Sequence, residues 1–289
     1  MTLPLKTQDI FETGLPRWLD AITRFFAALC VSLVLAYMIR TALGNIAPKD
    51  FSYFWIAGRI FLEGGNPYAP SFSEIANSMA ASNSDMDGLG GFHRWLYGPH
   101  IWSVSTGLGL LDYFAARIAW GVASAGAVVG GCYLGLAAVM RLQAPFFFVY
   151  FGLLCLLAGV TLGTVMSIST GQVASFTFLA IAAFIYGVLR NSAIAVALAL
   201  IVLTMKPNLA MPFIGFALVL PATRMPLLMA GLVSLCLSVP VFVTTPISEF
   251  VAGYLDGLSS YGGYGANAPN ALTGLANVVQ EPRALPCRV

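Results

Sequence analysis

Seven long apolar blocks, at 21–43, 115–140, 144–165, 173–189, 193–205, 209–220 and 227–243, leave this chain no soluble way to fold. A helix on the surface of a soluble domain shows its apolar residues as a stripe; here they run without interruption. Charged residues make up only 9% of the chain and apolar ones 58%, against roughly a quarter charged in ordinary soluble domains. The blocks therefore read as membrane segments. A formal net charge of +2 is too small for a polyanion-binding surface, which excludes nucleic acid as a partner. Cys30, Cys132, Cys155 and Cys236 sit inside the apolar blocks, where cysteine behaves as a small hydrophobe. No disulfide framework is implied, and Cys287 stands alone in a polar context.

The first block is too long for the core of a cleaved signal peptide and follows a mixed-charge leader (Lys6, Asp9, Glu12, Arg17, Asp20). It reads as an anchor that stays in the membrane. Blocks of about 17 residues or more can cross a ~30 Å hydrocarbon core. The fifth and sixth blocks are shorter and are separated by Lys206-Pro207. Proline lacks the backbone donor and disfavours helix at the residue before it, so the pair reads as two short helices forming a hairpin.

Orientation follows from basic residues in short connections. Lys6, Arg17 and Arg24 place the amino terminus in the cytoplasm, and alternation of the blocks puts Arg141, Arg190 and Arg224 on that side too. The opposite side receives the outer loop 44–114, the connection 167–172, the Lys206-Pro207 break and a tail from 247 to 289. The organisation is thus a leader (1–20), a transmembrane domain (21–246) and the tail. Within the outer loop, the aromatic run after Asp50 predicts a helix lying in the membrane interface plane, ended by Gly64-Gly65-Asn66-Pro67. The stretch 71–91, rich in Ser, Asn, Asp and Gly, reads as a solvated loop. Residues 101–111 form a second short interfacial or re-entrant piece.

No P-loop, GxSxG elbow or HExxH is present. His93 and His100 are spaced too far apart for a zinc pair and read as surface or interfacial residues. Asp85 to Gly88 shares part of a calcium-loop pattern without its closing glutamate, and reads as a polar turn. Neither a metal nor another cofactor is implied.

Three residues stand out by position. Asp50 lies just past the first block, where the plain reading is an N-cap for the next helix. Lys206 sits at a break in an apolar stretch; such a lysine marks a pathway or a bound anion, or else snorkels to the interface. Gln172 opens the fourth block, where an amide can cap a turn.

Transfer of a sugar from a polyprenyl phosphate is compatible with an acid, a fixed cation and aromatic helices on one face. The phosphate is already a good leaving group, so one carboxylate suffices to take the proton of the acceptor hydroxyl. Lys206, Arg59 or Arg94 could hold the phosphate. Compatibility does not select this reaction over others.

The run Asp50-Phe51-Ser52-Tyr53-Phe54-Trp55-Ile56-Ala57-Gly58-Arg59, followed by Gly64-Gly65-Asn66-Pro67-Tyr68, resembles the first outer-loop signature of glycosyltransferase family 87. That family comprises polyprenyl-phosphate-mannose-dependent mannosyltransferase-like membrane proteins of the GT-C fold. Tyr97-Gly98-Pro99 resembles its Tyr-Pro-Pro segment, Gly171-Gln172 its Gly-Gln helix start, and Leu203-Thr204-Met205-Lys206-Pro207 its Leu-Lys-Pro break. Pro269-Asn270 with Gly274-Leu275 is similar to a later outer-loop motif. The resemblance implies an all-α, polytopic transmembrane GT-C-like protein in a bacterial plasma membrane. It implies transfer of a hexose, mannose in the family, from a polyprenyl-phosphate carrier to a glycolipid or polysaccharide acceptor.

By the same resemblance Asp50 is the general base; Lys206 is the expected phosphate contact, and Gln172, Arg59, Tyr68, Tyr97 and Asn270 are the candidate substrate contacts. Two departures accompany it. Gly98 stands where the family has proline, and 280–289 carries no apolar block where the family continues through further spanning helices. A shortened chain with an incomplete site is the expectation from the second. The alternative classes are a transporter or flippase of lipid-linked sugars, which would also use a charged helix break, and a non-catalytic membrane scaffold.

Overall fold

A computed structural model describes residues 17–44, 48–140 and 144–262. Helix is the only regular structure among them, and all seven apolar blocks are helical. The leader's Lys6, Asp9 and Glu12, together with Arg141, Asn270 and Cys287, lie outside the described residues.

Among the described residues three helices are long and apolar enough to cross a membrane: α1 (Arg17–Ala42), α5 (Tyr113–Val139) and α11 (Pro221–Thr244). On α1 the buried stripe is Thr23, Ala27, Cys30, Val34, Met38 and Ala42, while Trp18, Ile22, Phe25, Leu29 and Leu33 are exposed. A helix whose exposed face is more apolar than its buried one is matched to lipid, not water. Small residues in the buried stripe let neighbours approach closely; Ala27 and Cys30 meet Gly152.

The third block does not form one straight span. It divides into α6 (Ala144–Val160) and α7 (Leu162–Thr170), bent by 63°, so the spans number four only if this pair is counted as one. Thr161 is the break residue, with Gly159 and Gly163 two residues to either side. Thr161 is extended, and its hydroxyl bonds the Ala158 carbonyl at 3.0 Å and Thr164 Oγ1 at 2.8 Å. A threonine side chain has taken over local backbone bonding, the competition that bends helices.

The fourth block, α8 (Ala174–Leu189), has 16 residues. That is about 24 Å of helix, short of the span expected from its hydropathy. α9 (Ala193–Leu203) and α10 (Pro207–Val219) separate at the expected break, with Pro207 in the first turn of α10. Phe213, Ile214 and Ala217 of α10 share an apolar cluster with Ala197 and Leu200 of α9 and Ala230 of α11, so α10 folds back beside α9.

The helix ends sort into two groups. Arg190 at the end of α8 donates to the Ala137 carbonyl at the end of α5 (2.7 Å), Arg24 of α1 lies over Phe148 at the start of α6, and Arg224 caps the Leu218 carbonyl. At the opposite end Arg117 of α5 donates to the Ala42 and Gly44 carbonyls that close α1. That second end carries the outer loop.

The outer loop departs from expectation in two places. α2 (Lys49–Leu62) does not lie with one face bare: Phe51, Phe54, Trp55, Ile56, Ala57 and Ile60 are all buried. Its aromatic residues form the centre of a core with Trp95, Tyr97, Tyr113 and Trp120. Phe54 alone stacks on Trp95, Tyr97 and Trp120 at 4.3–5.3 Å. Trp120 lies on α5 and Phe176, 4.9 Å from it, on α8, so the loop is fastened to the bundle. The stretch expected to be a solvated loop contains α3 (Phe72–Ser82), which buries Phe72, Ala76 and Ala80 at four-residue spacing. The short piece expected near 101–111 is α4 (Trp102–Gly109), entered by a 3₁₀ turn at Pro99–Ile101. After α11 the chain forms α12 (Ile247–Gly262), where the sequence suggested only a tail.

Candidate functional site

Asp50 is not an N-cap. Pro48 holds that position, with no side-chain capping bond, and Asp50 falls inside the first turn of α2. Its carboxyl is half-buried and faces the Gln172 side chain, Lys206 and its own neighbour Lys49. Three residues chosen from three separate parts of the sequence thus act at one carboxyl, from the first turn of α2, the α7–α8 junction and the α9–α10 break.

Backbone chemistry explains how Gln172 gets there. Gly171 ends α7 in the left-handed conformation, φ 73°. Its N–H donates to the Ile168 carbonyl (3.2 Å), and the Gln172 N–H to the Ser167 carbonyl (2.8 Å). This is the Schellman arrangement. The Ser167 and Ile168 carbonyls at the end of α7 are satisfied by backbone N–H groups, so the Gln172 side chain is released from the capping role open to it. Gly171 also lies directly against α2: a Cβ there would stand 2.4 Å from Phe51 Cβ and 2.9 Å from Phe51 N. The indole N–H of Trp120 donates to the Gly171 carbonyl at 3.0 Å in a buried setting, holding the turn onto α5.

The first turn of α2 is fixed from below. Ser52 Oγ donates to the Pro48 carbonyl at 3.0 Å and lies 2.7 Å from the Tyr113 hydroxyl. On the other side, Lys49 Nζ donates to the Gly91 carbonyl at 3.1 Å and sits near the Phe92 ring. Lys206 heads the break whose preceding Thr204 hydroxyl bonds the Ile201 carbonyl (2.6 Å) and pairs with His100 Nε2 (3.1 Å). Sequence reasoning read His100 as a surface or interfacial residue. It is buried, and burial pushes its imidazole below the usual range. Gly98 is coupled to it, because a Cβ at 98 would come within 2.8 Å of His100 Nδ1. The residue that departs from the resembled motif is therefore the one that makes room for this ring.

Burial pushes the Asp50 carboxyl above its ordinary value of 3.8, opposed by the hydrogen bond from Gln172 and by the ammonium groups of Lys206 and Lys49. A carboxylate raised this way is a better proton acceptor while still ionisable. The sign is testable. A reaction needing the Asp50 carboxylate loses rate as pH falls through its folded pKa, so the acid limb of kcat/KM should lie above the ordinary carboxylate range. Gln172→Leu removes a group that lowers this pKa and should move the limb to higher pH. A limb that stays put in Gln172→Leu would disconnect the amide from the reacting carboxyl.

The other sequence candidates lie elsewhere. Arg59 is nine residues along α2 from Asp50, about 13 Å by helical rise and on the opposite face. Its Nη1 donates to the Gly109 carbonyl at 3.3 Å, and the guanidinium lies near Trp55. Tyr68 is buried and donates its hydroxyl to the Tyr97 carbonyl at 2.9 Å. The Tyr97 ring packs between Phe54 and Trp95. These three hold the loop core together. Arg94, offered as a phosphate ligand, pairs with Asp256 of α12 at 2.7 Å. A shallow hollow lined by Ala81, Asn83, Asp87 and Leu89 gathers no comparable set of groups. Lys49 was missed, although its position beside Asp50 at a helix start was a usable signal.

No family model, curated protein or solved structure matches the chain. What the site can do follows from its side chains: one carboxylate of raised basicity, an amide donor on it and two cations, at one end of a bundle with a lipid-matched surface.

Proposed function

We propose that the protein is a membrane glycosyltransferase that moves a hexose from a polyprenyl-phosphate carrier to a glycolipid or polysaccharide acceptor. The observation that carries this reading is the half-buried Asp50 carboxyl, held by Gln172 and faced by Lys206 and Lys49. The acceptor hydroxyl attacks the anomeric carbon as the bond from that carbon to the phosphate oxygen breaks. The hydroxyl proton passes to Asp50, and the polyprenyl phosphate leaves with the bonding electrons. In this reading the Lys206 ammonium offsets the charge of the departing phosphate. The exposed apolar helix surfaces suit the prenyl chain, and mannose is the sugar implied by the sequence resemblance. Membranes containing the chain should transfer radiolabel from a polyprenyl-phosphate hexose to lipid- or polymer-bound product; no transfer with any such donor would refute the enzyme reading.

The outer face is the proposed side for the site. Single cysteines at Ser84 and Ser259, both exposed at the loop end, should react with an impermeant thiol reagent applied outside. One at Asn191, exposed in the turn beside Arg190, should not. Asn191 has φ 53°, so cysteine there costs about 1–2 kcal/mol, which an exposed turn can absorb. The opposite labelling pattern would invert the orientation.

A further inference from the structure

α12 begins three residues after α11 ends at Thr244. A connection that short reaches at most about 10 Å, so the start of α12 stays level with the end of a helix suited to crossing the membrane. At about 100° per residue, its side chains fall into three sectors. Phe250, Gly253, Tyr254 and Gly257 face the outer loop. Phe250 packs on Tyr68 at 4.7 Å, a Cβ at 253 would stand 2.2 Å from the Tyr68 carbonyl oxygen, and one at 257 would stand 2.7 Å from Leu96. Ser248, Glu249, Ala252, Asp256 and Ser259 form a polar, exposed sector.

The third sector is Ile247, Val251 and Leu255, apolar yet 63%, 44% and 59% exposed. It continues the bare surface of α11, where Val239 and Val243 are 51% and 79% exposed. One face on protein, one suited to water and one apolar, at the height of the membrane surface, is the pattern of a helix lying in the interface. We infer that α12 is an interfacial membrane helix whose Ile247, Val251 and Leu255 edge lies in the headgroup–acyl boundary of the bilayer. Through Tyr68 and the Arg94–Asp256 pair it ties the outer loop to the membrane plane. This inference is independent of the chemistry at Asp50.

Nitroxide labels on single cysteines at Val251 and Ser248 test it, in the full chain reconstituted into phosphatidylcholine vesicles. Cys236 and Cys287 are replaced by serine; Cys30, Cys132 and Cys155 are buried and stay. The label at 251 should be reached several-fold better by dissolved oxygen than by a water-soluble nickel chelate, at a depth of about 5–10 Å. The label at 248 should show the reverse preference. Equal nickel access at the two positions overturns the inference, because the edge then faces water. Shielding of 251 from both relaxers overturns it too, because protein then covers the edge, whether a second copy or residues 263–289. Val251→Trp gives a second measurement without cysteine changes. Brominated lipids should quench the added fluorescence, and quenching unchanged from the unsubstituted chain would contradict lipid contact.

Discussion

Asp50→Asn is expected to abolish sugar transfer while expression, membrane insertion and donor binding stay close to normal. Loss of a positioned base typically costs 10²–10⁴-fold in rate. The fold should survive, because Asp50 makes no capping bond and Pro48 is the N-cap. The structural losses are the charge of an acid in the first helical turn, about 0.3–1 kcal/mol, and its attraction to Lys206 and Lys49. Asparagine keeps the size and can still meet Gln172, but it cannot accept the acceptor's proton. Lys206→Gln should behave differently, weakening donor binding, because it removes a cation proposed to face the phosphate. The acid limb of its residual activity should move to higher pH, since Lys206 lowers the Asp50 pKa. Single-turnover rates and donor-binding isotherms on the two variants separate the roles. Near-normal turnover in Asp50→Asn would remove Asp50 from the chemistry altogether.

Gly171→Ala should cost nearly as much activity by another route. A non-glycine residue at φ 73° pays about 1–2 kcal/mol, and the added methyl would overlap Phe51 Cβ at 2.4 Å. Forcing atoms into a packed junction adds about 1–3 kcal/mol. The turn must move off α2, carrying Gln172 away from Asp50 and straining the Trp120 bond. A lowered melting temperature in detergent and a large loss of turnover are expected together. Gly163→Ala is the control on the same helix, because a Cβ there meets nothing within 4 Å and φ is not positive. An unchanged melting temperature in Gly171→Ala would mean that the turn is not held against α2.

Much of this arrangement was legible in sequence, and the illegible parts share a cause. The apolar blocks and the Lys206-Pro207 break are local properties of the chain, and both appear as helices and a break at the expected places. α3 escaped because its buried stripe is Phe72 with two alanines, too weak to show among Ser73, Glu74, Asn77 and Ser78. The bend at Thr161 escaped because the cause is a hydroxyl competing for a carbonyl, and threonine is common in straight membrane helices. α2 looked like an interfacial helix because it is aromatic. It is covered on nearly every side, since Trp95, Tyr97 and Trp120 arrive from elsewhere in the chain, and no local pattern reports them.

Within the site, Asp50, Gln172 and Lys206 were marked by charge or polarity in apolar surroundings, which is a sequence property. Their meeting is not. Arg59 and Tyr68 were chosen with the Asp50 motif and Tyr97 with the Tyr97-Gly98-Pro99 segment, and all three lie in the supporting core, because a motif records residue types and not the direction each side chain takes. Asp50 and Arg59 sit on one helix facing opposite ways. His100 was read as surface or interfacial for the same reason: its ring meets Thr204, a hundred residues away in sequence.

The distance between Asp50 and Lys206 along the chain has a consequence for biosynthesis. Some 156 residues separate them, so at about 5–20 residues per second a ribosome delivers the lysine roughly 8–30 s after the aspartate. Gln172 arrives only shortly before Lys206. For most of that interval the carboxyl has neither its amide nor the more distant of its two cations, and inside hydrocarbon it would be costly to leave unpaired. Because α2 belongs to the loop and not to a spanning helix, Asp50 can wait in water with the aromatic core forming around its helix. The hairpin of α9 and α10 then brings the Lys206 ammonium toward a carboxyl already in place, before α11 follows.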